Sequence, residues 1–275
     1  MSARVAPAPP ERWRPTPLVA SSLGLHCVAG ASALLGPEAW PWAAIAVAAN
    51  HMVLGAVCMW PRSTMLGPNI TQLPDPAIAR REIAFTFDDG PDPDVTPRVL
   101  DILDAHGVRA SFFCIAEHAA RHPELCREIA RRGHAVENHS RTHLLNFALR
   151  GPGGTRREVS AAQSELSAIT GRRPRFFRAP AGIRSPFLDP VLHDLGLKLV
   201  SWTRRGFDTR RSDADEIASL LVAGMAAGDI LLMHDGNCAR MANGTPVVLD
   251  VLPRVIHQAQ TLGLRPVTLE HAIAA

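Results

Sequence analysis

The sequence predicts an α/β domain built on parallel strands and entered through a pair of apolar helices. Three observations predict it. From Arg81 onward, short β-prone runs alternate with helical stretches, and two uncharged runs of nineteen residues precede that alternation. Carboxylates, imidazoles and an arginine recur where the β-prone runs stop. Strands alternating with helices imply βαβ units, hence a parallel sheet or barrel whose ligands gather at the carboxyl ends of the strands.

The N-terminal tail, residues 1–17, carries Arg4, Arg12 and Arg14. Leu18–Gly36 and Trp42–Trp60 are the two uncharged runs, joined by Pro37–Pro41, and each is just long enough to span a bilayer as a helix. Trp40, Trp42 and Trp60 sit at the run ends, where indoles favour the membrane interface. Ser21, Ser22, His26, Asn50 and His51 dilute the apolar character, and a cleaved signal peptide is the alternative. The second run directly after the first favours a transmembrane hairpin over residues 18–60, with the two histidines serving helix–helix packing. The arginines before Leu18 outnumber the charges of the connection, which holds only Glu38. The positive-inside rule then puts both ends of the hairpin, and all that follows, on the cytoplasmic side of a bacterial inner membrane. A periplasmic catalytic domain is the alternative.

Residues 61–80 are rich in Pro, Gly and polar residues and read as a linker to a domain over 81–275. Strands are expected at Ile83–Phe87, Ala110–Ile115, Ala135–Asn138, Arg175–Phe177, Leu197–Trp202 and Asp229–Met233. Helices are expected at Val95–His106, Glu124–Arg132, Thr155–Ile169 and Asp213–Ala227, with a further helix towards the C-terminus. A net charge of +3 over 275 residues, with no interleaving of basic and aromatic residues, argues against a nucleic-acid partner. Five cysteines without a CxxC pair read as free thiols, and Cys114 and Cys126 fall in patterns that bury them. Nothing in the sequence reads as an oligomerisation signal.

The chemistry lies at the strand ends. "TFDDGPD" sets Asp88 and Asp89 side by side after an apolar run, and a Gly-Pro pair then turns the chain. "ENHSRTH" offers His139 and His143, whose spacing would aim both imidazoles at one point from a single helical turn. Two imidazoles, a carboxylate and an open position are the donor set of a catalytic divalent ion. Such oxygen and nitrogen donors suit zinc first, with cobalt, manganese and nickel also compatible. One aspartate then binds the ion while its neighbour takes the proton of an activated water as general base. "RFFRAPAG" ends a run with Arg178, and "DILLMHDG" ends one with His234 and Asp235. A histidine facing that water is suited to protonate a leaving amine.

Taken in order, "TFDDGPD", "NHSRTH", "RAPAG" and "LLMHDG" resemble the motifs of the polysaccharide deacetylases of carbohydrate esterase family four, the NodB-homology domain. The resemblance covers about residues 80–270 and excludes the apolar runs. It implies a distorted (β/α) barrel and metal-dependent removal of an acyl group, acetyl or formyl, from an amino sugar. It also implies roles: Asp88 as base, Asp89, His139 and His143 as ligands, His234 as acid, and Arg178 as the cation orienting the base. Leu232 matches a wall of the acyl pocket, and the Ala181 N–H an oxyanion donor. The family's acidic, tryptophan-rich segment survives only as "SWTRRGFDT", where Trp202 and Asp208 are candidates and Asp208 is expected to pair with Arg178. The family often has an aromatic residue at the position of Ala181, and this chain has no tyrosine at all. A platform for a long glycan is therefore reduced, and the expected partner is an acylated amino-sugar glycan or glycolipid. The same chemistry would serve an O-acetyl esterase. A non-catalytic sugar-binding protein would be expected to have lost the base, the acid or the ligands, and none is missing.

Overall fold

The computed structural model describes residues 12–274, so Arg4 and most of the tail lie outside the described residues. The two apolar runs form α1 (Pro17–Leu35) and α2 (Trp40–Cys58), with Thr16 capping the first helix. They pack as a hairpin, and their polar residues meet between them: Asn50 Nδ2 donates to Ser22 Oγ at 2.9 Å, and the rings of His26 and His51 lie 5.2 Å apart, edge to face. Outward, Leu23, Val28, Trp42, Ile45 and Met52 are exposed. Among the described residues only α2 is both long and apolar enough to cross a membrane, with a mean hydropathy of 1.5. The apolar part of the first helix is shorter, Pro17–Ser32, which corrects the expectation of two equal spans.

The segment read as a linker is ordered against the domain. Ile70 bridges Val200 in parallel, Leu66 packs on Val19 and Val57, and α3 (Asp75–Ala79) leads into the sheet. The sheet comprises β1 (Glu82–Asp88), β2 (Ser111–Cys114), β3 (Ala135–Asn138), β4 (Phe176–Phe177), β5 (Lys198–Leu199), β6 (Arg204–Arg205), β7 (Ile230–His234) and β8 (Arg265–Val267). Around it stand α4 (Thr96–Ala105), α5 (Ala116–Arg121), α6 (Pro123–Arg131), α7 (Pro152–Thr170), α8 (Leu188–Leu195), α9 (Ala214–Val222), α10 (Val248–Thr261) and α11 (Leu269–Ala274). Every strand pair is parallel, in the order β5-β4-β3-β2-β1-β7-β6, with β8 also on β1.

That order forces curvature. β5 and β6 stand at opposite ends of the path, and a flat sheet of this width would hold them about 29 Å apart. Only residues 200–203 join them, a reach of about 17 Å at full extension. The sheet therefore curls into a half-barrel whose two ends do not pair. The expected barrel is present in its parallel strands and its curvature, but not as a closed ring.

Alternation along the strands sorts side chains between two sides. On β1, Ile83, Phe85 and Phe87 pack outward on the core shared with α4, α9 and α10, whereas Ala84, Thr86 and Asp88 face the interior. On β7, Leu231 and Met233 point outward, while Leu232 and His234 face inward. The register pairs Asp88 with His234 and Asn138 with Phe177. His139 and Arg178, one residue beyond that second pair, become neighbours at the same rim.

Candidate active site

A cleft of about 430 Å³ opens at the carboxyl ends of the strands, and Asp88, Asp89, His139, His143, Ala181, Leu232 and His234 all line it. A larger cavity of about 840 Å³, between Trp13 and α8, holds none of them.

Asp89 follows β1 in a left-handed conformation (φ 72°), which swings its carboxylate across the rim. Its Oδ1 lies 3.3 Å from His139 Nε2 and 3.2 Å from His143 Nε2, yet it is buried and neither contact has hydrogen-bond geometry. His139 Nδ1 sits 2.8 Å from the carbonyl of Arg178, so the proton belongs on Nδ1 and the Nε2 lone pair faces Asp89. Acceptors converging without a donor call for a cation among them. An ion with bonds of about 2.0–2.2 Å in tetrahedral array sets its ligands roughly 3.3–3.6 Å apart, close to the spacing seen. The three ligand atoms all lie within 4.8 Å of one another, so the residues present fit a divalent ion. The histidines are not presented by a helix, as their spacing suggested. A tight turn carries them, with Ser140 and His143 at positive φ and Asn138 Oδ1 accepting from the Ser140 N–H.

Charge follows this geometry. Burial favours the neutral form of Asp89, but His139, His234 and His143 outweigh it and hold its carboxyl well below the usual range. Burial also pushes both imidazoles down. Asp88 and Asp89 bring His139 back above its ordinary value, whereas His143, beside His139, stays below.

Asp88 shares the wall of this cluster. Its Oδ1 accepts from Arg178 Nη1 at 2.7 Å, while its Oδ2 lies 3.8 Å from His139 Nε2. Arg178 is 1 % exposed and fully engaged: it donates to Thr86 Oγ1 at 2.8 Å and the Ser201 carbonyl at 2.9 Å, with its guanidinium 4.1 Å above the Phe113 ring. Asp208 is not its partner, contrary to expectation. The Asp208 carboxylate spans the end of β7 instead, with Oδ1 2.8 Å from His234 Nδ1 and Oδ2 accepting from the His234 N–H at 2.8 Å. With Thr86 and Asp88 already on Arg178, the carboxylate of Asp208 is left for the imidazole. Burial alone would lower the His234 pKa, but Asp208 raises it to about 9. Asp235 points away from the cleft to Thr96 Oγ1, 2.6 Å distant, and burial pushes it up to about 7.

Ala181 also stands at positive φ (55°), and its N–H has no acceptor among the described residues. Gly182 beside it has no room for a side chain, since a Cβ would lie 2.6 Å from the Trp202 ring and 2.9 Å from Pro61. Trp202 is buried and also lines the cleft. Residues not singled out in the sequence complete the rim: Arg205 and Phe207, within the quoted "SWTRRGFDT", line it with Arg210 and Asn237, and His118 Nδ1 sits 3.0 Å from the Asp89 carbonyl. The arginine-rich run from Arg204 is visible in the sequence, but nothing in it indicates a cleft wall.

Comparison with known proteins places this arrangement. Residues 77–200 match the family described as polysaccharide deacetylase. A peptidoglycan-N-acetylglucosamine deacetylase of Bacillus cereus is 31 % identical over 193 residues, 69 % of this chain and 67 % of that protein. A chitooligosaccharide deacetylase of Bradyrhizobium is 39 % identical over 157 residues, 57 % of this chain and 71 % of the relative. Among solved structures, a peptidoglycan N-acetylglucosamine deacetylase superposes with a TM-score of 0.68 at 28 % identity, covering 75 % of this chain and 93 % of that one. A family 4 carbohydrate esterase from Streptomyces lividans, bound to acetate, gives 0.61 at 30 % identity over 67 % and 91 % of the two chains. With the strand-end constellation carried on the same curled sheet, the chain belongs to the polysaccharide deacetylase family.

Proposed function

We propose that this chain is a membrane-anchored, metal-dependent N-deacylase acting on an acylated amino sugar of a lipid-linked or cell-envelope glycan. One observation carries the reading: the donor-free cluster of Asp89, His139 and His143 shares one cleft with Asp88, 3.8 Å from His139, and with His234, which the register sets beside Asp88. A divalent ion held by those three residues would supply Lewis acidity to the attacking water and to the scissile carbonyl. Asp88, fixed through Oδ1 by Arg178, keeps Oδ2 to take the proton of that water. The Ala181 N–H is free to donate to the oxygen as it gains charge. His234, oriented at Nδ1 by Asp208, presents Nε2 to protonate the departing amine. Leu232 gives the acyl methyl group an apolar wall.

Relatives named for peptidoglycan N-acetylglucosamine and for chitooligosaccharide support an acetylated amino sugar. The hairpin supports a membrane-borne substrate. Pro61, three residues past the end of α2, packs against Gly182 and Trp202, so the cleft opens beside the hairpin root. The test uses the full chain in detergent, with metal content and acetate release measured together. Asp88→Asn should keep its metal and lose about 10² to 10⁴ in turnover. His139→Ala should lose metal and turnover at once. Full metal occupancy in the His139 variant would overturn the ligand assignment. Near-normal turnover in the Asp88 variant would show that another group activates the water.

A further inference from the structure

The carboxylates at the cleft each have a place: Asp88 pairs with Arg178, Asp208 with His234, and Asp89 belongs with His139 and His143 to the candidate ion site. Two cations on the same wall do not. Arg205 and Arg210 line the cleft, and among the described residues neither has a carboxylate within 4.0 Å. Their sequence neighbours are paired, Arg204 with Asp229 and Arg211 with Glu216. Arg205 is half-buried, with its guanidinium 4.3 Å from the Phe207 ring and 5.3 Å from the Trp202 ring. Its Nε is buried with no hydrogen-bond partner. Asp208 and Asp88 favour the charge on Arg205 from a distance, but both carboxylates are engaged elsewhere. Arg210 is near enough for its own charge to oppose that of Arg205. Two like charges held together, one of them stiffened by aromatic rings and stripped of water on one side, favour an incoming oxyanion. The planar guanidinium fork suits phosphate oxygens in particular, because it can donate two parallel hydrogen bonds.

Position narrows the choice of anion. Arg205 stacks on Trp202, which packs against Gly182, which in turn touches Pro61 at the hairpin root. The unpaired cations therefore continue the wall that begins at the root of the apolar helices. We propose that Arg205 and Arg210 form a subsite for a phosphate ester attached to the acylated sugar, so that the substrate is a sugar phosphate rather than a neutral glycan. This rests on the reading of the cleft as a deacylation site and adds the anionic group that the substrate must carry.

The test compares N-acetylglucosamine 1-phosphate with methyl N-acetylglucosaminide on the full chain in detergent. The kcat/KM ratio of the two should favour the phosphate by about tenfold or more, chiefly through KM, as expected for charge-assisted hydrogen bonds. Arg210→Gln should bring the ratio toward one. Arg205→Gln should do the same, and Arg205→Lys should restore part of the preference. Arg210 is exposed, so its variant remains informative if the stacked Arg205 proves necessary for folding. A wild-type ratio near one, or a ratio that Arg210→Gln leaves unchanged, would overturn the subsite while deacylation stands. Acetate from neither compound would instead count against the deacylation reading. Calorimetric binding of the same two compounds then decides the subsite, and equal affinity for both would overturn it. Uridine diphosphate N-acetylglucosamine and polyprenyl-phosphate-linked N-acetylglucosamine separate a nucleotide carrier from a lipid carrier. Preference for either over the neutral glycoside supports the subsite.

Discussion

His234 depends on a neighbour for its charge, and that dependence can be read from a rate profile. Asp208 holds both the backbone N–H and the imidazole of His234, and raises the ring's pKa to about 9. Asp208→Asn removes the charge and keeps the shape. The imidazole then loses its proton at lower pH, nearer the ordinary value of about 6.5. The alkaline limb of the kcat/KM profile should move down accordingly, with the acidic limb in place. A limb that does not move would assign the proton donor to another group. In the sequence, Asp88, Asp89, His139, His143, Arg178 and His234 stand out because each follows a β-prone run, where βαβ units expose their chemistry. Their partners do not stand out. Whether Asp208 meets Arg178 or His234 depends on which strands lie side by side, and no spacing along the chain encodes that. Thr86, inside a buried strand, gives no sign of its bond to Arg178.

Strand ends can be set in place only where backbones approach closely. A Cβ on Gly236, just beyond β7, would lie 2.3 Å from the Asp89 carbonyl and 2.9 Å from the Gly90 nitrogen. Backbone atoms cannot rotate aside, so Gly236→Ala should push the Asp89 turn outward. A loss of about 1–3 kcal/mol of stability is expected from such overpacking, together with weaker metal binding. Thermal melting and metal titration check it, and an unchanged melting temperature with unchanged affinity would show that the turn is not held this way. Of the expected strands, β1, β2, β3 and β7 form within a residue of the expected bounds; β1, β2 and β7 carry apolar runs, whereas β3 is the shorter Ala-Val-Glu-Asn. β4 and β5 are shorter than expected, with two residues each that pair, and β6 and β8 have no counterpart among the expected strands. Arg204–Arg205 is hidden by its charges, since one arginine turns to Asp229 and the other to aromatic rings. α8 is short and follows a proline-containing turn, so its period is too brief to read.

Across the whole molecule, the hairpin and the cleft are joined by more than a tether. Asn69 Nδ2 donates to the carbonyls of Pro61 and Ser63, and Ser201 Oγ lies 2.7 Å from the Pro61 carbonyl. The arginines before α1 lead to the proposal that this body faces the cytoplasm. Alkaline phosphatase fused at the carboxyl terminus should then be inactive in intact cells, and strong activity would turn the proposal toward an assembled wall or capsule polymer. Arg178 carries a consequence for how such a protein can change. It bonds to β1 through Thr86 and Asp88, and to the crossover between the sheet's two ends through the Ser201 carbonyl, so one guanidinium both serves the base and fastens the curl. Reactivity and enclosure therefore cannot drift apart over evolutionary time. A lineage that gave up the arginine would have to rebuild the seam before it could explore a different base.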